Sequence, residues 1–515
     1  MKNTFYISRT LRFPLYAIVL LFVVSCMERS EKKVQPTKPD AQIGPNVVYI
    51  LADDMGYGDI GALNPNAKVH TPALDALIAN GMHFTDAHSS SSVCTPSRYS
   101  ILTGRYAWRS ALKRGVTWGY SPPLIQQGST TVASLMQKNG YRTACIGKWH
   151  LGLEWALKDG VAAPWDNPKL HPSKYPANAI DFAKPIANGP TSLGFDYFFG
   201  IPASLDMRPY CYIENETVLD LPMRPVDKEI LAARDSLVQW HSGMASSHFK
   251  HAEVLPTLTD KAVDFIQKNK KRPFFLYFPL TAPHSPLLPS KRFQRSSKAG
   301  DYGDFIQMVD HVVHTVSQTL EQEGLAANTL FIFTSDNGTF ERAYIDPDYG
   351  HDGNHHFRGQ KADIYEGGHR VPFIASWKNK ISPNSSSDAP ILLNDLMATL
   401  AELTKTELRE GEDSRSILPI LQGKKDRVAD RDFLIHHSSR GFFAIRKDSL
   451  KLIEGLGSGG FTLPYKIDID DAKKAFQLYN LNTDISEATD LFNTMPEQRQ
   501  KLYETLINYT EAGRK

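Results

Sequence analysis

Four apolar runs, each stopping abruptly at polar side chains, constrain this chain more than any other feature. In "PNVVYILADDMGYGD", Val47 to Leu51 is continuous and rich in β-branched residues, and it gives way to Asp53-Asp54. "NTLFIFTSDNG" stops at Asp336-Asn337-Gly338, "RPFFLYFPLTAPHSP" stops near His284, and the weaker "YRTACIGKWHLG" stops at Lys148 and His150. Such runs suit strands buried on both faces of a parallel sheet. Between them lie segments of helical pattern, "TPALDALIANG", "TTVASLMQKNG" and "TDKAVDFIQKNK". The first two end at Gly, a common helix stop. The alternation predicts an α/β fold with a large, mainly parallel or mixed sheet sandwiched by helices. Ligands of such sheets bind beyond the carboxyl ends of the strands. Four runs deliver proton-transferring or metal-competent residues to that end.

The pattern changes near residue 430. "FLIHHS", "GFFAIRKDSLKLIEG" and "FQLYNLNTD" read as short strands, and "PEQRQKLYETLINYTEAGRK" as a terminal helix. The division is therefore a domain over 45–429 and a smaller α+β domain with an antiparallel sheet over 430–515. The stretch 154–191, rich in Pro, Asn and Lys, is long enough to serve as a lid or substrate wall.

The N-terminus predicts export. Lys2, Arg9 and Arg12 precede the apolar run Phe13 to Val24, which is short for a bilayer span and suits a secretory signal. It ends at Ser25-Cys26, which resembles a bacterial lipoprotein signal with a lipidated Cys26, the alternative being a plain signal peptide cut nearby. Residues 1–26 are then the signal and 27–44 a polar tether. The expected location is the periplasm or cell surface, with the membrane as partner through that lipid. Lys plus Arg number 58 against 56 for Asp plus Glu, a net charge of +2. No basic stretch is interleaved with stacking aromatics, so nucleic acid is excluded as a partner. With Cys26 spent on the signal, Cys94, Cys145 and Cys211 remain, an odd number with no disulfide framework. Cys145, inside an apolar run, reads as a small core hydrophobe.

Asp53, Asp54, Asp336 and Asn337 offer only oxygen ligands, which suit Ca²⁺ or Mg²⁺ rather than zinc or copper. Cys94 stands apart, in "SSSSVCTPSRYSILTGR". Pro96 fits the first turn of a helix, whose N-terminus and Arg98 then favour an oxyanion beside residue 94. The same surroundings would activate a thiolate. A thiolate beside three carboxylates and a hard cation is chemically awkward, whereas an oxygen nucleophile is not.

"CTPSRYSILTGR" resembles the signature of the formylglycine-dependent (type I) sulfatases, Cys-x-Pro-Ser-Arg followed by Leu-Thr-Gly-Arg. "GKWHLG", "TAPHSP", "SDNG", "RGQKADIYEGGHRVP" and "LYNLNTDISEATDL" extend the likeness from about residue 45 to the C-terminus. The resemblance implies an alkaline-phosphatase-like fold and sulfuric ester hydrolysis. It implies that a maturation enzyme oxidises Cys94 to formylglycine, whose hydrate is an oxygen nucleophile. Asp53, Asp54, Asp336 and Asn337, with modified Cys94, match the ligands of a Ca²⁺ ion, Mg²⁺ being less favoured. Arg98, Lys148 and Lys361 match groups that hold the sulfate. His284 matches the acid that protonates the leaving oxygen, and His150 the base that helps expel sulfate.

Other features carry plainer expectations. His351, His355 and His356 form a substrate wall or a surface cluster, with metal binding a third option. His436 and His437 face the cleft or end a strand. Trp118, Tyr120 and Trp165 stack on a sugar or simply pack. The segment from Cys94 to Ile125 is similar to the N-acetylgalactosamine-6-sulfatase-like branch, which implies a sulfated glycan substrate carrying a 6-O-sulfate on galactose or N-acetylgalactosamine, cut in an exo-acting pocket. Desulfation at another sugar position and arylsulfatase activity are the nearer alternatives. A phosphatase or phosphodiesterase of the same architecture fits Cys94 less well, and a non-catalytic glycan-binding lipoprotein would not need every proton-transfer residue.

Overall fold

The computed structural model describes residues 44–514 apart from 168, 227–229, 233–236, 410, 412 and 471–474. The expected signal and most of the tether lie outside the described residues. The main strands are β1 (Asn46–Asp53), β2 (Arg142–Lys148), β3 (Tyr197–Ile201), β4 (Phe274–Pro283), β5 (Thr329–Ser335), β6 (Phe373–Ser376), β7 (Leu434–His437), β8 (Phe443–Lys447), β9 (Leu450–Glu454) and β10 (Phe476–Asn480). The main helices are α1 (Pro72–Ala79), α2 (Cys94–Thr103), α3 (Val132–Lys138), α4 (Val254–Asn269), α5 (Gly300–Gln322) and α6 (Pro496–Arg514).

A ten-stranded mixed sheet carries the order β6–β5–β1–β4–β2–β3 through its centre. The four apolar runs are its four adjacent middle strands, all parallel. Their continuous hydrophobicity follows from burial on both faces. Along β1, Val47, Tyr49 and Leu51 enter one core, and Val48, Ile50 and Ala52 enter the other. Along β4, Phe275 and Tyr277 join the first core, and Phe274, Leu276 and Phe278 the second. Each large aliphatic or aromatic side chain buried this way contributes roughly 1.5–3 kcal/mol.

Helices close both faces. Ile101, Leu102, Leu135 and Met136 of α2 and α3 pack into the first core. Phe265 and Ile266 of α4 and Val309, Val313 and Val316 of α5 pack into the second. α1 and α3 stop at Asn80 and Asn139, and Gly140 then takes φ +84°, the left-handed turn that its sequence position anticipated.

Register places the chemistry. Ala52 of β1 pairs with Ser335 of β5, and Asp53 with Pro283 of β4. Asp53-Asp54, Asp336-Asn337 and His284 therefore emerge at one level, with Lys148 at the end of β2 beside them.

The C-terminal residues form a separate four-stranded antiparallel sheet, β7–β8–β9–β10. Leu434, Ile435, Leu452, Leu478, Leu502 and Leu506 make its core together with Tyr106 and Trp108 from the segment after α2. Among the described residues, no helix is long and apolar enough to cross a membrane.

Candidate active site

Cys94 is the first residue of α2, and Val93 before it is extended, as the Pro96 signal requires. The serines ahead of it also have a structural account. Ser92 N–H donates to the His437 carbonyl (3.2 Å) and His437 N–H to the Ser90 carbonyl (3.1 Å), so the turn is zipped to the end of β7. Ser89 N–H donates to the His369 carbonyl (2.8 Å), and the Ser92 carbonyl accepts from Ala362 N–H (2.7 Å). Ser90 Oγ bonds Ser100 Oγ (2.8 Å), and Ser97 Oγ bonds the Ser91 carbonyl (2.8 Å). All four serines are buried. Ser89 and Ser90 use their hydroxyls, whereas those of Ser91 and Ser92 have no hydrogen-bond partner among the described residues, so at these two positions the crowded turn calls for small size alone.

The polar ends of the strands converge on Cys94. Its Sγ lies 3.5 Å from Asp53 Oδ1. Lys148 Nζ donates to both Asp53 oxygens, at 2.9 and 2.7 Å. Arg98 clasps Asp336 Oδ2 through Nε (2.9 Å) and Nη2 (2.7 Å), and its Nη1 donates to the Lys148 carbonyl (3.0 Å). Lys361 Nζ donates to Asp54 Oδ2 (2.6 Å), and His284 Nε2 is 3.7 Å from the same oxygen. Asn337 Nδ2 donates to Asp54 Oδ1 (2.7 Å). His150 Nε2 bonds the Thr117 carbonyl (2.8 Å), and its buried Nδ1 has no partner among the described residues. Asp54 and His150 both hold positive φ, +66° and +56°, a conformation found at sites where geometry outranks local comfort.

Every catalytic and metal residue expected from the sequence is thus in one cluster. Three others stand with them. Ser204 Oγ lies 3.0 Å from Lys148 Nζ and 3.4 Å from the His284 ring. Tyr344 donates its hydroxyl to Asp54 Oδ2 (2.9 Å), and Tyr302 donates to the Asp54 carbonyl (3.1 Å). Ser204 follows β3, a fifth parallel strand, so the strand-end rule applied to "YFFGIPASL" finds it. Tyr344 and Tyr302 carry no sequence signal.

The donor set fits a hard divalent cation. Asn337 Oδ1 is a buried oxygen without a hydrogen-bond partner among the described residues, beside the Asp54 carboxylate. Asp53, Asp54, Cys94 and His284 present ligand atoms within 4.8 Å of one another. The three carboxylates are matched in number by Arg98, Lys148 and Lys361, so a divalent cation leaves the pocket positive and ready for an anion.

Electrostatics separates the roles. Burial raises the carboxyl of Asp53, yet Lys148, His284 and Arg98 outweigh it and hold the group well below the usual range. Burial pushes the Cys94 thiol up, against Lys148 and Lys361, so the unmodified sulfur stays protonated and is a poor nucleophile. Burial, then Lys148 and Arg98, press His150 well below an ordinary histidine, so its ring is neutral and able to accept a proton.

Several plainer residues resolve. His351 is buried against Asp59 (2.8 Å), His355 stacks on Tyr57, and His356 is exposed, so the three do not converge on a metal. His436 and His437 end β7 fully buried. The His436 ring bonds the Ser89 carbonyl (3.1 Å) and stacks on His369 (4.0 Å). Tyr120 is core. Trp165 packs edge-on to Tyr175 (6.4 Å) within the 154–191 stretch. Trp118, partly exposed, meets the edges of His171 and His241.

A buried nucleophile position, three cations for oxygen atoms, two histidines for proton transfer and a cation-ready carboxylate cluster define a hydrolase of tetrahedral oxyanion esters. Comparison with known proteins gives the particular family. The chain belongs to the sulfatase family, which it matches over residues 45–406, and it is a sulfuric ester hydrolase. It is 32% identical to an N-acetylgalactosamine-6-O-sulfatase of Bacteroides thetaiotaomicron, covering 95% of this chain and 97% of that one. It is 28% identical to human steryl-sulfatase, over 78% and 73%. A solved structure described under glycosaminoglycan metabolism by Bacteroides thetaiotaomicron superposes with a TM-score of 0.77 at 31% identity, covering 91% of this chain and 99% of that one.

Proposed function

We propose that the protein is an exported, calcium-dependent sulfatase that removes 6-O-sulfate from galactose or N-acetylgalactosamine residues of glycans. The observation that carries the reading is the convergence of Cys94, Arg98, Lys148, Lys361, His150 and His284 on the Asp53–Asp54–Asp336–Asn337 cluster. The sugar and position rest on likeness to a relative named for N-acetylgalactosamine-6-O-sulfate.

Asp53, Asp54, Asp336 and Asn337 would hold the cation, which would supply positive charge beside the sulfate, and a hydrated formylglycine at position 94 would supply an oxygen nucleophile in place of the thiol. Arg98, Lys148 and Lys361 grip the sulfate oxygens and gain most as negative charge builds in the transition state. His284 gives a proton to the departing sugar oxygen. His150 takes a proton from the nucleophile's second hydroxyl when sulfate leaves. Lys148 is oriented by Ser204, which also touches the acid His284. Sulfate release from a panel of sulfated galactose, N-acetylgalactosamine and glucosamine derivatives tests the reading. Turnover of 6-O-sulfated galactose-type sugars is expected, and turnover confined to other positions overturns the substrate assignment.

Proton donation matters most for a poor leaving group. His284→Ala is expected to lower kcat/KM on a sugar sulfate by about 10²–10⁴-fold, and to slow an activated aryl sulfate much less. Equal losses on both would remove His284 from the acid role. Calcium binding should also depend on pH. Burial raises the Asp336 carboxyl to about 6, against the pull of Arg98. A proton there competes with the cation, so affinity is full above that pH and falls as pH drops through it. Titration calorimetry above and below pH 6 checks this. Cys26→Ser should move the protein from the membrane fraction to the soluble fraction and abolish incorporation of labelled palmitate.

A further inference from the structure

Beside the active site, four chain segments meet and leave a cationic, aromatic rim that the chemistry above does not use. Ser439 N–H donates to the carbonyl of Ala362, the residue after Lys361 (3.1 Å). Gly115 N–H donates to the Ser439 carbonyl (2.9 Å), two residues before Thr117, which holds His150. Arg440 N–H donates to the Gly459 carbonyl (3.1 Å), and its Nε donates to the Gly460 carbonyl (3.1 Å). Gly460 packs on the backbone of Ala362 so closely that a Cβ there would lie 2.3 Å from it. Asp363 fixes the same loop by accepting from the N–H groups of Phe461 (2.7 Å) and Thr462 (3.0 Å).

This scaffold presents Arg440 and Arg114 to solvent. Among the described residues, no carboxylate pairs with either. The Arg440 guanidinium lies over the Tyr465 ring, 4.8 Å from its centre, and Tyr465 is 40% exposed. A Cβ on Gly441 would lie 3.8 Å from the Arg114 Cβ, so the two arginines spring from adjacent backbone. Arg440, Phe442, Lys466 and Phe476 line a cavity of about 390 Å³ opening beside them, together with the carboxylates of Glu454 and Asp468. Lys466 is paired with Asp468, whereas Arg440 makes no carboxylate pair among the described residues.

Solvated arginines are ordinary, but this one is preoriented. Its Nε is spent on a carbonyl and its face on an aromatic ring, which aims the remaining N–H groups and lowers the entropy lost on binding. Aromatic faces, a fixed guanidinium and a recess next to a sulfate-ester pocket match an anionic sugar. We propose that Arg440, with Arg114 and Tyr465, forms a second subsite that binds an anionic sugar neighbouring the one desulfated. The substrate class is then an anionic oligosaccharide or polymer rather than a lone sulfated sugar. This rests on the sulfatase reading of the catalytic site. The anion is either a second sulfate or a uronate carboxylate, which share the same chemistry.

The test compares wild type, Arg440→Ala and Arg440→Lys at whichever sulfate position wild type accepts. The substrates are a sulfated monosaccharide and three disaccharides whose second sugar is neutral, sulfated or a uronic acid. Arg440→Ala should lower kcat/KM on one or both anionic disaccharides by roughly tenfold, mainly through KM. It should leave the monosaccharide and the neutral disaccharide unchanged, and Arg440→Lys should recover part of the loss. The difference should shrink in high salt. The sulfated and uronic arms distinguish the two anions. Equal kcat/KM for wild type and Arg440→Ala on both anionic disaccharides overturns the subsite. So does a loss shared by all four substrates, which marks Arg440 as a prop for the 459–465 loop. Absence of turnover by wild type on every sulfated sugar overturns the catalytic reading and the subsite with it.

Discussion

Cys94→Ala is expected to give a folded protein whose sulfate release is at least ~10⁴-fold slower than wild type. The side chain is 2% exposed, and its one hydrogen bond is the 3.5 Å contact to Asp53. Losing one small side-chain group, thiol or aldehyde, from that packing costs about 1 kcal/mol, so a thermal melt should move by only a few degrees. The oxyanion grip of Arg98, Lys148 and Lys361 remains, and so does substrate binding. What disappears is the atom that attacks sulfur. Mass spectrometry of the wild-type peptide should show the aldehyde or its hydrate at position 94. Retained turnover in Cys94→Ala would defeat the nucleophile assignment outright.

Lys148→Ala should damage both stability and rate. Lys148 is fully buried and donates to both oxygens of Asp53 and to Ser204. Removing one member of a buried ion pair strands the other, at a cost of about 3–5 kcal/mol. Arg98 Nη2, 3.4 Å from Asp53 Oδ1, compensates only in part. The same change removes a cation from the sulfate oxygens, which should lower kcat by about 10²–10³-fold. Chemical denaturation and steady-state kinetics measure the two effects separately. A purely structural lysine would show the early unfolding alone, with kcat intact under conditions where the variant is folded.

The strands and their ends were the most legible part of the molecule. A strand buried on both faces must be apolar throughout, so β1, β4 and β5 announce themselves, and the first polar residue marks where the sheet opens to a ligand. That is why Asp53, Asp336 and His284 could be found without coordinates. Ser204 obeys the same rule after β3, a shorter strand in an aromatic run. Tyr344 ends a single helical turn, Glu341–Tyr344, and its bond to Asp54 spans 290 positions of chain, which no local pattern records. His351, His355 and His356 are close in sequence but part in space: His351 pairs with Asp59, while the rings of His355 and His356 lie against each other, 4.1 Å between centres. The role of the serine run needed β7, far along the chain, to be placed beside it.

The zipper between Ser89–Ser92 and His437 has a bearing on biosynthesis. The catalytic turn is sealed by a strand that is translated more than 300 residues later. While the chain is still growing, the turn ahead of Cys94 lacks its partner strand, and the modifying enzyme of our proposal would meet it unsealed. Once Leu434–His437 arrives and docks, that opportunity closes. With formylglycine at position 94, as proposed above, order of synthesis would act as a timer: maturation would have to precede completion of the chain's own architecture. Overexpression that outruns the modifying enzyme should accumulate well-folded protein that is permanently inert.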